Sequence, residues 1–251
     1  MKSSALSAIA SRPWRPRHLV FALAILAPAA LLLPSFKSPP ASRSMMEIRE
    51  IAGVPNARHQ LALTFDAGGD CTGLPELLAA LDKAKVHSTF FITSLWAARH
   101  SELVEEIHRR GHEIGNHSWS HPDLTRLTLI AVRSEIEQAD SLLAKLSGQS
   151  PRPLFRAPYG ARDTRVLETI HQQGYLSVYW SLDSLDSDEP PKSPDFLVAR
   201  VCNRTDAELN GAIILMHVGE PATAAALPTI LAGFKARGLK NVPVSTLLKS
   251  L

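Results

Sequence analysis

The segment His117-Ser118-Trp119-Ser120-His121-Pro122 places two imidazoles four residues apart and closes them with a proline. Side chains at i and i+4 share one face of a helical turn, so the spacing predicts that both rings reach the same ion. Pro122 has no N–H to donate, and it stiffens the loop that carries the pair. Taken alone, the hexapeptide fits a solvated or buried histidine pair more readily than a metal site. Other residues change that balance. Asp66, His117, Arg156, Asp183 and His217 each stand at the carboxyl end of an apolar or mixed run. Charged groups are costly beside a core unless they are paired or bind a metal, so five at such positions read as one site.

The elements that must position them alternate regularly. Segments 59–65 (HQLALTF) and 88–93 (STFFIT) read as strands, with a helix over 74–85 between them. A helix over 101–110 stops at Gly111, and a short strand over 112–116 runs into the histidine pair. Apolar residues at helical spacing over 128–146 end at Ser147-Gly148. A brief strand over 153–157 precedes a helix over 164–173 that ends at Gly174. Strands over 176–182 and 212–217 follow, then a helix over 224–236 whose start Pro228 obscures, and 242–248 closes the chain. About seven strand–helix units argue for a parallel α/β architecture, and a barrel suits that number better than an open sheet. In such barrels, functional groups gather where strands end and loops begin.

Of 251 residues, 45% are hydrophobic and 20% charged, enough for one sizeable core. The net charge is only +3, and part of the basic excess (Lys2, Arg12, Arg15, Arg17) precedes residue 20, which argues against a nucleic-acid partner. Cys71 and Cys202 are too few for a disulfide scaffold and lack the paired spacing of a cysteine zinc site. Residues 1–45 differ from the rest. A basic start leads into an uncharged stretch over 19–33, interrupted by Pro28, and then into a proline-rich exit. That pattern predicts a signal peptide or membrane anchor plus linker, ahead of a catalytic domain over 46–251. The expected location is periplasmic or extracellular, with attachment to the inner membrane if the segment stays uncleaved. In an oxidising compartment the two cysteines could pair.

Thr64-Phe65-Asp66-Ala67-Gly68, His117-x-x-x-His121-Pro122, Arg156-Ala157-Pro158-Tyr159-Gly160, Asp183-x-x-Asp186 and Leu215-Met216-His217 follow one another in this order. The series resembles the five motifs of the polysaccharide deacetylases, carbohydrate esterase family 4, over roughly residues 55–250. The resemblance implies a distorted (β/α) barrel of about seven parallel strands, a divalent metal that is usually zinc, and hydrolysis of N-acetyl groups on amino sugars. It implies Asp66 as base, with Arg156 orienting and charging it, and His217 as acid, held charged by Asp183. It implies a backbone N–H at Tyr159 for the oxyanion on a loop shaped by Pro158, and His117 and His121 as metal ligands. Each role suits amide hydrolysis, which needs an activated water, a polarised carbonyl, a base and an acid for the leaving amine. The implied partner is an N-acetylated glycan, either peptidoglycan or a secreted polysaccharide; no protein partner is indicated.

Two positions depart from the family pattern. Ala67 stands where a second aspartate usually supplies the third metal ligand. Asp70, behind Gly68-Gly69, is the expected substitute, since a glycine hinge can swing its carboxylate toward the ion. Ser187 replaces a tryptophan that often walls the acetyl pocket, so Trp119 or Trp180 is the expected aromatic. Two alternatives accompany the deacetylase reading: an O-acetyl carbohydrate esterase, and a metal-free, non-catalytic glycan-binding relative suggested by Ala67.

Overall fold

Strand β2 (Gln60–Ala67) carries two alternating sets of side chains, and each set enters a different core. Leu61, Leu63, Phe65 and Ala67 face a large core shared with α1 (Leu74–Ala84) and α8 (Pro221–Ala236). Ala62 faces an inner core that includes Phe91, Val178 and Ile213. Thr64 and Asp66 continue that inward row, so alternation alone brings the Asp66 carboxylate to the concave side.

The computed structural model describes residues 50–251; the expected export or anchor segment over 1–45 lies outside the described residues. The strands are β1 (Glu50–Ile51), β2, β3 (Thr89–Ile92), β4 (Glu113–Asn116), β5 (Leu154–Phe155), β6 (Leu176–Val178), β7 (Leu182–Asp183), β8 (Ile213–His217) and β9 (Lys240–Asn241). Their order is β1-β6-β5-β4-β3-β2-β8-β7, with β9 paired to β2, and the paired strands run parallel. The result is an α/β half-barrel of eight parallel strands with β9 as an addition at one end of β2. Its inner core is closed from below by α9 (Val244–Leu248), whose Val244 and Leu247 are buried.

The expected strand over 176–182 is two strands, because the chain changes partners in the middle. The Tyr179 N–H donates to the Ile51 carbonyl, and the Ser181 N–H donates to that of Ile213. Residues 179–181 therefore leave β1 and join β8, which places Trp180 at the mouth of the site. Helices α2 (Ser94–Arg99), α6 (Pro194–Cys202) and α7 (Asp206–Leu209) were not legible as helices, being short and Ser-, Thr- or Pro-initiated. The long helix α8 begins at Pro221 and continues through Pro228. The helices α3 (Ser101–Arg109), α4 (Leu129–Ser147) and α5 (Thr164–Gln172) fall where spacing placed them, within two residues at each end. In α4 the Thr128 hydroxyl caps the Ala131 N–H at 3.3 Å, and Gly148 ends the helix in the left-handed region. Among the described residues, no helix is long and apolar enough to cross a membrane.

Candidate active site

Arg156 is fully buried just beyond β5, and its guanidinium reaches across the barrel to Asp66. Its Nη1 donates to Asp66 Oδ1 at 2.7 Å and to the Thr64 hydroxyl at 2.8 Å, and its Nε donates to the Val178 carbonyl at 3.1 Å. The cation also stacks over Phe91, 4.1 Å from the ring centre. A buried charge survives only with such partners, so the Asp66–Arg156 pair is one unit. Burial pushes the Asp66 pKa up, but Arg156, then His117 and His217, outweigh it and hold the carboxyl below its ordinary range.

The second oxygen of Asp66 faces His117, with Oδ2 3.5 Å from Nε2. His117 Nδ1 lies 2.8 Å from the Arg156 carbonyl, and as the N–H partner of that acceptor it leaves the Nε2 lone pair facing the cleft. His121 closes the group, with its ring centre 4.8 Å from that of His117. The four-residue spacing does bring the rings together, but not through a helical turn. The segment is a loop in which Ser118 (φ 69°) and His121 (φ 62°) take left-handed backbone, and the Ser118 hydroxyl accepts the His121 N–H at 3.0 Å. Glu135 of α4 fastens the loop by accepting the Trp119 and Ser120 N–H groups at 3.0 and 2.8 Å. Burial holds the His121 pKa down to about 4 and keeps that of His117 below its ordinary value, so both rings are neutral and able to ligate.

These donors fit a divalent ion as a two-imidazole site. Among the described residues, no three His, Cys, Asp or Glu side chains are grouped to hold a metal. Ala67 is packed in the outer core. Asp70 lines the cleft, yet its carboxylate is engaged in its own turn. Its Oδ1 accepts the Cys71 and Thr72 N–H groups at 2.6 and 3.2 Å, and its Oδ2 accepts the Thr72 hydroxyl at 2.7 Å. The glycines before it do not bring it to the histidines.

At the end of β8, His217 is held by Asp186 rather than by Asp183. Asp186 Oδ1 is 2.8 Å from His217 Nδ1, while Oδ2 accepts the His217 N–H at 2.8 Å and the Thr223 hydroxyl at 2.6 Å. Burial alone would lower the His217 pKa; Asp186, through hydrogen bond and charge, raises it above the ordinary value. Asp183 uses Oδ1 to accept the Leu185 N–H at 2.8 Å, closing the turn that turns Asp186 inward. It still lines the cleft, and burial raises its pKa. The reason for the exchange is local: Asp183 ends β7, and the left-handed Leu185 (φ 63°) reverses the chain so that the residue three positions on meets His217.

Pro158, Tyr159 and Gly160 form a single tight turn with Tyr159 left-handed (φ 58°). The Gly160 and Ala161 N–H groups donate within the turn, to Ala157 and Pro158. Among the described residues the Tyr159 N–H has no protein acceptor, as an oxyanion donor requires. The Tyr159 ring is 71% exposed and meets His121 edge-on at 4.4 Å. Of the two expected aromatics, Trp180 lines this cleft of about 490 Å³, and Trp119 lines a separate surface groove. Cys71 and Cys202 are both free thiols. Glu220 also lines the cleft, and no spacing signal in the sequence marks it.

A family profile described as "Polysaccharide deacetylase" matches residues 53–178. The chain is 32% identical over 178 residues to a chitooligosaccharide deacetylase of Bradyrhizobium, a match covering 70% of this chain and 78% of that protein. It is 32% identical over 201 residues to the peptidoglycan-N-acetylglucosamine deacetylase PgdA of Listeria monocytogenes, covering 79% of this chain and 41% of PgdA. The chain thus spans less than half of that relative's length. Among solved structures, it superposes on a CE4 family pseudoenzyme from Bacillus anthracis with a TM-score of 0.73 and 28% identity, over 79% of this chain and 68% of that one.

Proposed function

The chain belongs to the polysaccharide deacetylase family, and from that premise we propose that it hydrolyses N-acetyl groups on an N-acetylated glycan, with peptidoglycan or a secreted polysaccharide as substrate. One observation supports this reading above the others: a base unit (Asp66 with Arg156) and an acid unit (His217 with Asp186) line the same cleft. Two titratable groups whose surroundings push their pKa values apart, one down and one up, are the arrangement that acid–base hydrolysis needs.

Asp66 is ionised and keeps Oδ2 turned to the cleft, so it accepts the proton of the attacking water there. Arg156 holds the carboxylate in place through Oδ1 and leaves Oδ2 for that proton. The Tyr159 N–H donates to the oxygen of the acyl group as it gains charge. His217, whose protonated form Asp186 favours, delivers a proton to the leaving amine nitrogen. A divalent ion such as zinc, held by His117 Nε2 and His121, would add Lewis acidity that acidifies water and polarises the acyl oxygen. The sequence features over 1–45 suit an exported enzyme acting at the cell envelope, with attachment to the membrane if the segment persists.

A second reading, a glycan-binding protein without turnover, is favoured by Ala67 and by the structural likeness to a pseudoenzyme. The intact acid and base units weigh against it. Incubating the full chain, with zinc supplied, with N-acetylglucosamine oligomers and with peptidoglycan tests the choice. Acetate release that falls by about 10²- to 10⁴-fold in Asp66→Asn supports hydrolysis. Equal release by the two proteins, or none by either, overturns it.

A further inference from the structure

We propose that Glu135 of α4 is the positioning residue of the histidine pair: it fixes the backbone that carries His121, and so the placement of that imidazole against His117. The inference rests on the reading of His117 and His121 as the metal ligands, and adds a group outside the cleft that holds them ready. The two rings are placed by different means. His117 leaves β4 directly, with its N–H donated to the Ile92 carbonyl at 3.2 Å and its Nδ1 2.8 Å from the Arg156 carbonyl. Among the described residues the His121 ring makes no hydrogen bond to another residue. It meets the rings of His117 and Tyr159 edge-on, 4.8 and 4.4 Å away between centres. Its position is therefore inherited from the loop. With two protein ligands in place of three, metal affinity depends all the more on rings that are fixed before the ion arrives.

That loop needs outside partners to keep its shape. Ser118 and His121 are both left-handed, a region unfavourable to residues that carry a Cβ. The Ser118 and Trp119 carbonyls accept the Ser94 and Leu95 N–H groups at the start of α2, at 3.1 and 2.9 Å. Of the N–H groups from Ser118 to His121, two are satisfied close by: Ser118 donates to the Asn116 side chain at 2.9 Å, and His121 to the Ser118 hydroxyl. The other two, of Trp119 and Ser120, converge on Glu135 Oε2 at 3.0 and 2.8 Å, while Oε1 accepts the Ser120 hydroxyl at 2.8 Å. Three bonds thus meet one carboxylate, and charge-assisted bonds are stronger than neutral ones. The reach follows from the helix period. Val132, Ile136 and Ala139 lie on the buried face of α4, and Glu135 stands at its border, one turn before Ala139. The Asn116 side chain also donates to the Ile136 carbonyl at 3.0 Å, so strand, loop and helix are held in one register. Without the carboxylate, two loop N–H groups lose their acceptor and the left-handed segment loses its outer support.

The test compares wild type with Glu135→Ala, Glu135→Asp, Glu135→Gln and Glu137→Ala in the full chain. Glu135→Gln loses the charge but keeps the bonds, since an amide oxygen accepts both N–H groups and the NH2 donates to the Ser120 hydroxyl. Glu135→Asp keeps the charge and reaches one methylene less far. Glu137 is exposed on the same helix and its side chain makes no hydrogen bond to the loop, so Glu137→Ala controls for net charge. Zinc affinity is read by calorimetric titration. The seating of His121 is read from nuclear Overhauser contacts between its ring and those of His117 and Tyr159 in the metal-free proteins. Glu135→Ala and Glu135→Asp should each weaken zinc binding by about 10- to 100-fold, the usual cost of removing a group that orients metal ligands, and lose the ring contacts. Glu135→Gln and Glu137→Ala should stay within about threefold of wild type, because a partly exposed charge contributes little by itself. If Glu135→Ala does not fold, Glu135→Asp against Glu135→Gln carries the same comparison. A loss in Glu135→Gln equal to that in Glu135→Asp would make charge the cause and overturn the proposal. Zinc affinity or ring contacts that survive in folded Glu135→Ala overturn it as well. No zinc uptake by wild type overturns the metal reading instead, and the ring contacts of the metal-free proteins then still decide whether Glu135 positions His121.

Discussion

The Asp186 carboxylate grips His217 at two points, its ring Nδ1 and its backbone N–H, both at 2.8 Å. The third hydrogen bond, from Thr223, satisfies the same buried carboxylate and leaves it no freedom to turn away. The imidazole is thereby oriented with Nε2 toward the cleft, and its positive form is favoured. Because His217 must be protonated to act as the acid, and its pKa is raised, activity should fall as pH rises through that raised value. Asp186→Asn removes the charge that raises it, so the alkaline limb moves to lower pH and kcat drops by about 10²- to 10⁴-fold. Asp183→Asn should move the limb less, since Asp183 makes no bond to the ring. A pH–rate profile of the three proteins checks this; an Asp183 effect equal to that of Asp186 refutes it.

The Asp66–Arg156 pair makes a prediction about stability. Arg156→Met leaves a buried carboxylate without its cation, and such losses cost about 3–5 kcal/mol. With its largest counterweight gone, the Asp66 carboxyl is pushed up by burial, so the acid limb of activity moves to higher pH. In urea unfolding, Arg156→Met should be the least stable single variant at the site. Adding Asp66→Leu to it should recover part of the loss, because the orphaned charge is gone. A double variant no more stable than Arg156→Met contradicts the account.

The sequence showed the strand ends that carry Asp66, His117, Arg156 and His217, because apolar runs closed by one ionisable residue are a local signal. The partner of His217 was not visible in that way. The family resemblance implies Asp183 for that role, and Asp183 does close an apolar run; Asp186 closes none, and only the Leu185 reversal brings it inward. The split between β6 and β7 was hidden for a similar reason, since a change of partner at residues 179–181 leaves no mark on hydrophobic periodicity. Asp70 looked mobile behind two glycines, but an aspartate followed by a threonine two positions on folds back on its own backbone.

That placement of Asp70 has a consequence for metal binding. If His117 and His121 are the protein ligands, His117→Ala and His121→Ala should each abolish measurable zinc uptake in calorimetric titration. Asp70→Ala should leave the affinity within about threefold of wild type, since a solvated loop carboxylate bonded to its own turn contributes little. A loss of zinc binding in Asp70→Ala comparable to that in the histidine variants would restore Asp70 as a ligand.

His112, at the opposite end of the half-barrel, links stability to pH. Burial, with the nearby His87, lowers its pKa from 6.5 to about 4, and among the described residues its Nε2 has no hydrogen-bond partner. Its Nδ1 accepts the Ser88 N–H at 3.3 Å, which requires the neutral ring. A histidine whose folded pKa lies below its unfolded one favours the folded state above the unfolded value, and this contribution disappears as protons bind. The protein should therefore lose stability as pH falls from about 6.5 toward 4, and His121, lowered to about 4 by burial, adds in the same direction. Thermal unfolding across that range is the measurement. In His112→Phe the ring cannot titrate, so the drop in Tm between those pH values should shrink without vanishing, the remainder belonging to His121 and the carboxylates. An identical drop in wild type and His112→Phe would show that His112 is not one of the groups taking up protons.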